Sequence, residues 1–188
     1  MRNINSIEIM VAEHDNILRF NNVVRMACLG ILEGKDICAE DFRSMVEFVR
    51  NYADKYHHGK EEQILFKEMT AHLGQIGTNL ITHGMLVEHD LARLYISELE
   101  TALDRYHLNF SVDARLDIIA AAVGYTKLLK RHIDKENSVV YPYAEKRLPE
   151  EVLESINARA ETFEIQAEKR GTQKKYLDVL AMLESKYL

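Results

Sequence analysis

The chain is short of the residues that break helices: two prolines and eight glycines stand among 188 residues. Ala, Leu, Glu and Lys are plentiful instead, which points to helix. Two cysteines, Cys28 and Cys38, are too few for a disulfide framework, and Cys28 falls on an apolar helical stripe. A buried free thiol in a reducing cytoplasm is the reading that fits. No basic run exceeds a few residues and the net charge is −6. That argues against nucleic acid as the main partner, because phosphate binding needs concentrated Lys and Arg. No apolar run approaches the roughly 20 residues that span a bilayer. The opening MRNINSIEIM lacks the continuous apolar core of a secretory signal, so no membrane association and a cytoplasmic location are expected. The remaining composition, 47% hydrophobic and 29% charged, suits one soluble globular domain with a small appendage.

What is present is periodicity. Apolar residues recur at spacings of three and four through four long segments. The first, about residues 4–33, carries Ile7, Met10, His14, Ile17, Asn21, Val24, Cys28 and Ile31, and EGKD ends it. The second, about 41–72, carries Val46, Val49, Ala53, His57, Glu61 and Ile64, and HLGQIG ends it. The third starts near Thr78 and carries Met85, His89, Ala92, Ile96, Leu99 and Leu103. The fourth starts near Ser111 and carries Ile118, Ala122, Tyr125, Leu129, His132, Glu136, Val139 and Tyr143. The proline of VVYPY is expected to kink its last turns. The predicted fold is all-α: an antiparallel up-down-up-down four-helix bundle over residues 1–148. Two shorter helices, about 149–169 and 172–187, follow in a C-terminal extension, 149–188, divided at Gly171.

Six polar residues interrupt the stripes where Leu or Ile would normally sit: His14, His57, Glu61, His89, His132 and Glu136. His14 to His57 spans 43 residues, as does His89 to His132. The triplet EHD at 13–15 recurs at 88–90, an offset of 75 that also relates the two His-x-x-x-Glu motifs. Duplication and a shared geometric demand on two hairpins both explain this. At about 1.5 Å per residue in an up-down bundle, all six fall within a slab of roughly 9 Å. His and Glu at i and i+4 share a helix face. Two buried carboxylates facing one another are costly without a cation or a proton, so convergence of six such groups points to metal. His58 is expected at a seam or in solvent, His72 and His107 at the surface, and Glu62 on a solvated face. His83 is a fifth imidazole only if its helix begins irregularly.

Four imidazoles and two carboxylates are too many for one closed tetrahedral zinc, and calcium and magnesium prefer oxygen shells. The count suits two first-row ions, iron first, with manganese or zinc as alternatives, bridged by Glu61 and Glu136. At these residues the chain resembles the hemerythrin-like family of HHE cation-binding domains. The EH pairs, the two H-x-x-x-E motifs and Tyr141-Pro142 carry the resemblance, over about residues 5–145. Phe66 followed by Lys67 departs from the aromatic-proline pattern. The resemblance implies that His14, His57, Glu61, His89, His132 and Glu136 are iron ligands. It also implies a helical extension after the bundle, as many bacterial members carry. Oxygen carriers of the family have a second histidine one turn away on helix three, where this chain has Met85 and Arg93, and an aspartate where it has Glu136.

The functional expectation is a non-haem diiron protein binding a small ligand such as O2, NO or peroxide, for sensing, delivery or protection. Ile17, Asn21, Ala53 and Tyr125 are candidates to line the ligand pocket, Tyr125 as a hydrogen-bond donor. Iron donation to damaged iron–sulfur clusters, a peroxidase-like activity, and a regulatory module folded by metal are the alternatives. No separate general acid or nucleophile stands out.

Overall fold

The computed structural model describes residues 5–188 and contains six helices, with no strand among the described residues. Helix α1 is Ser6–Leu32. Helices α2, α3 and α4 are continuous over 39–72, 74–109 and 112–147, and α5 (Glu150–Lys169) and α6 (Thr172–Tyr187) follow. The expected start of α1 at residue 4 lies outside the described residues. Within them Asn5 caps the helix, its side-chain oxygen accepting from the amides of Ile7 and Glu8. Ser111 caps α4 in the same way, accepting from the amide of Ala114 at 3.1 Å.

The connection between α2 and α3 is tighter than the sequence suggests. Only Leu73 separates them, and α3 begins at Gly74 rather than near Thr78. Gly74 turns the chain at φ +61°, a conformation that side chains disfavour. A Cβ on Gly77 would lie 2.5 Å from the Leu73 Cβ and 2.8 Å from the Met69 carbonyl, so glycine is required there too.

Three of the four long helices contain turns with hydrogen bonds to the fifth residue along instead of the fourth. These wide turns occupy Val49–His58 and Glu61–Leu65 in α2, Ile81–Met85 in α3 and Glu136–Val140 in α4. Each turn takes up an extra residue, so the inward face moves. In α4 the effect is explicit. The stripe expected to run through Val139 and Tyr143 runs instead through Val140, Tyr141 and Ala144, and Val139 is 52% exposed. Pro142 follows this wide turn, and the helix continues to Arg147.

Buried apolar residues fall into two clusters. One holds Ile17, Phe20, Phe48, Tyr52, Ile96, Tyr125 and Leu129; the other holds Ile7, Met10, Phe66, Met69, Met85, Val140 and Tyr141. The break falls at one level on every long helix: between Met10 and Ile17, Tyr56 and Ile64, Met85 and Ala92, and Ile133 and Val140. A polar layer fills it.

The last two helices pack on both clusters. Val152, Ile156 and Ala160 of α5 join the cluster around Met69, while Tyr176, Leu180 and Leu183 of α6 join the one around Phe48. Polar ties run along the whole seam. Asn157 accepts from the Ser6 amide and hydroxyl, Arg19 forks onto Glu184, Arg159 pairs with Glu68, and Lys186 and Tyr187 hold Asp41. Both cysteines are free. Burial pushes the Cys28 thiol up to about 11, which keeps it an unreactive packing residue.

Candidate metal centre

All six residues singled out in the sequence lie in the polar layer and are buried, none more than 1% exposed. His58 joins them at 3% exposed, so its expected place at a seam or in solvent is wrong. That expectation assumed the 100° step of an α-helix. His57 and His58 sit in a wide turn, where the step is smaller, and both rings enter the layer. His83, the other candidate for a fifth imidazole, is exposed, as are His72 and His107.

The ligating atoms form two groups that could each hold a metal ion: His14, His57, Glu61 and Glu136; and His58, Glu61, His89 and His132. Both carboxylates stand between the groups. Glu136 turns one oxygen to His14 Nε2 at 3.2 Å and the other to His132 Nε2 at 3.1 Å. Glu61 Oε2 lies 3.7 Å from His57 Nε2 and 3.6 Å from His89 Nε2. His58 stacks on His89 with ring centroids 3.8 Å apart.

A ring of oxygen acceptors stands behind the imidazoles. Nδ1 of His14 donates to Asn137 at 2.8 Å, His57 to Glu13 at 2.8 Å, His89 to Glu62 at 2.7 Å and His132 to Glu88 at 2.9 Å. His58 faces Asp54 at 3.4 Å. With Nδ1 committed outward, each Nε2 faces into the layer, where it is the nitrogen available to a metal. The carboxylates among these acceptors are held by cations in turn: Glu13 by Lys60, Glu88 by Lys135, and Asp54 and Glu62 both by Arg93. Glu62 is therefore not a free face charge. The offset of 75 maps Glu13 behind His57 onto Glu88 behind His132, and Glu62 behind His89 onto Asn137 behind His14. The EHD repeat carried that signal. His58 breaks the correspondence, because position 133 is Ile.

Lys60 extends one arm of this ring to the C-terminal helices. It is 2% exposed, lies over the Tyr56 ring at 3.8 Å, and pairs with both Glu13 and Glu164 of α5. Tyr56 donates to Glu164 at 2.7 Å, and Gln173 of α6 donates to the same carboxylate at 3.0 Å.

Electrostatically the layer is unsettled by itself. Burial pushes the Glu61 carboxyl well above the ordinary range, and the charge of Glu136 adds to this. Burial opposes ionisation of Glu136 as well, but the charge of the neighbouring His132 outweighs it and holds that carboxyl low. Burial lowers His132 too, yet Glu136 and Glu88 prevail and raise it to about 9. Burial, then neighbouring imidazoles, drive His57 well below its ordinary value and His58 to about 3. His58 Nε2, Glu61 Oε2 and both oxygens of Glu136 have no hydrogen-bond partner. Lone pairs converging without donors are what a bound cation would satisfy, and the donor set fits one.

Tyr141 was legible only as the aromatic residue of a motif. The wide turn brings it inward, where its hydroxyl donates to Glu61 Oε1 at 2.6 Å and its ring stacks on His14. Ile17, Asn21, Ala53 and Tyr125 are all buried. The Asn21 amide and the Tyr125 hydroxyl have no partner, and Tyr125 lines a cleft of about 250 Å3 that also reaches Asp54, His58 and Arg93.

No helix among the described residues is long and apolar enough to cross a membrane. Comparison with curated proteins and with solved structures gave no match. The family model of the hemerythrin HHE cation-binding domain matches residues 5–144, which span α1 to α4 and include every residue of the polar layer named above. The chain belongs to the hemerythrin family of HHE cation-binding domains.

Proposed function

We propose that the chain is a cytoplasmic non-haem diiron protein that binds a small ligand, O2, NO or peroxide, for sensing, delivery or protection. The observation that carries this reading is the outward commitment of Nδ1 on all five buried histidines, which leaves five Nε2 atoms and two carboxylates facing one another. The proposed ligands are His14 and His57 on one side, His58, His89 and His132 on the other, and Glu61 and Glu136 between. Mixed imidazole and carboxylate donors favour first-row ions over calcium or magnesium, with manganese and zinc as alternatives to iron. Bound iron would supply an open coordination position and one-electron redox chemistry at each ion.

The chain's own residues would then do the rest. The side with two imidazoles has one protein donor fewer, so the open position is assigned there. Ile17 and Ala53 lie one turn along from His14 and His57 on the same helix faces and keep water out. Asn21, on the helix of His14, retains unused hydrogen-bonding capacity and is the proposed partner of a ligand bound there, while Tyr125, also unpartnered, lines the cleft beside His58. Tyr141 steadies Glu61 and keeps its second oxygen toward the imidazoles.

The four long helices are read as an antiparallel up-down-up-down bundle ending at residue 148, with 149–188 as an extension. The cross-helix pairs support this: Arg50–Glu100, Asp54–Arg93 and Glu62–His89 rise on α2 as they fall on α3. The functional reading is tested by the visible spectrum of aerobically purified protein. A ferric band that shifts with azide or peroxide is expected; a spectrum inert to both, in protein loaded with iron, overturns it.

A further inference from the structure

A second feature lies away from the metal layer, where α2 meets the end of α5 and the start of α6. A cleft of about 570 Å3 opens there, with Lys55, Arg170 and Lys175 on its walls and no carboxylate among its lining residues. Lys55 reaches only the Asn51 side chain, and Lys175 only the Tyr176 hydroxyl, each at 3.3 Å. Three cations facing one concave space without an acid is unexpected in a chain of net charge −6. Other clefts differ. The one between α3 and α4 contains Arg105 together with its ion-pair partner Asp117, and the one by Lys186 contains Glu33 and Asp36. Glu164 is close to the cleft, but Lys60, Tyr56 and Gln173 already engage it.

We propose that this cleft binds a small ligand carrying at least two negative charges, of the phosphate or phosphorylated class. The cations repel one another across the opening, and a bound polyanion reverses the sign of that interaction. Gln63, Gln166 and Thr172 offer neutral donors around them. Gly171, at φ +67°, turns the chain so that Arg170 and the first residue of α6, Thr172, share one wall. The amides at the start of α6 have no side-chain cap and add a weaker attraction for anions. The volume exceeds what a phosphate needs, and the Phe163 and Tyr176 rings line the remainder, so an organic body attached to the phosphate fits as well.

The test is calorimetric titration of the full-length, metal-loaded chain with pyrophosphate at low ionic strength. One site per chain is expected, weakened at least fivefold in each of Arg170→Gln, Lys175→Gln and Lys55→Gln. These substitutions lie on α2, on α6 and in the turn between α5 and α6, so misfolding of one leaves two to decide. Lys174→Gln is the charge control: it removes a cation from the same helix that pairs with Asp178 and does not line the cleft. It should change affinity less than twofold. Absence of saturable binding, a loss in Lys174→Gln equal to the others, or binding that survives all three cleft substitutions, as occupation of the metal centre would, overturns the proposal.

Discussion

The hydroxyl of Tyr141 holds one oxygen of Glu61 and leaves the other facing the imidazoles. Tyr141→Phe keeps the ring against His14 but strips a buried carboxylate of a donor. It should cost about 1–3 kcal/mol in urea unfolding of the metal-loaded protein. An unchanged unfolding midpoint would mean that the hydroxyl does not hold Glu61. Glu88 acts one layer further out. The His132 hydrogen bond, with Lys135 adding to it against burial, holds its carboxyl at about 2, so it is ionised behind His132 at any working pH. Glu88→Ala frees the His132 ring to turn and should weaken metal binding roughly 10–100-fold in chelator competition. At this scale the sequence was legible where a polar residue stood on the predicted apolar stripe, in regular turns and wide ones alike. His14, His57, Glu61, His89, His132 and Glu136 interrupt apolar stripes and could be picked out. His58 and Tyr141 could not, because a wide turn leaves no mark in a stripe read at a fixed period.

Each long helix was legible through its stripe, and the predicted inward residues of α1, α2 and α3 are all buried. The ends were less so: α3 starts four residues early because Gly74 makes the turn alone. The sequence placed α5 and α6 but nothing in it marked Glu164, whose partner Lys60 is buried between His58 and Glu61. Glu164→Gln leaves the buried Lys60 charge with Glu13 alone and should destabilise the protein by about 3 kcal/mol in urea. A change under 0.5 kcal/mol would show that α5 is tied down by its apolar face only. The far end of α6 is fixed differently. Burial raises Asp41, but hydrogen bonds from Lys186 and Tyr187 prevail and lower its pKa. A lowered carboxyl contributes stability that is present above its unfolded value, about 3.9, and lost as pH falls through the folded value. Asp41→Asn should therefore be less stable than the parent at neutral pH, with the difference shrinking as pH drops below about 4. The check is urea unfolding across that range; a difference independent of pH would exclude the ionised pair as its cause.

At the scale of the whole molecule, two apolar clusters enclose a polar layer that is the candidate metal site. A fully apolar layer would pack without charge. This one buries two carboxylates and five imidazoles, with a carboxylate or amide oxygen behind each ring and cations behind the carboxylates. Such an arrangement is expensive unless cations occupy its centre. The most direct measurement is anomalous diffraction at the iron edge from crystals of protein purified without added metal. Two peaks per chain are predicted, one among His14, His57, Glu61 and Glu136 and the other among His58, Glu61, His89 and His132. Peaks elsewhere, or electron density showing those seven side chains bonded only to one another and to water, would contradict it.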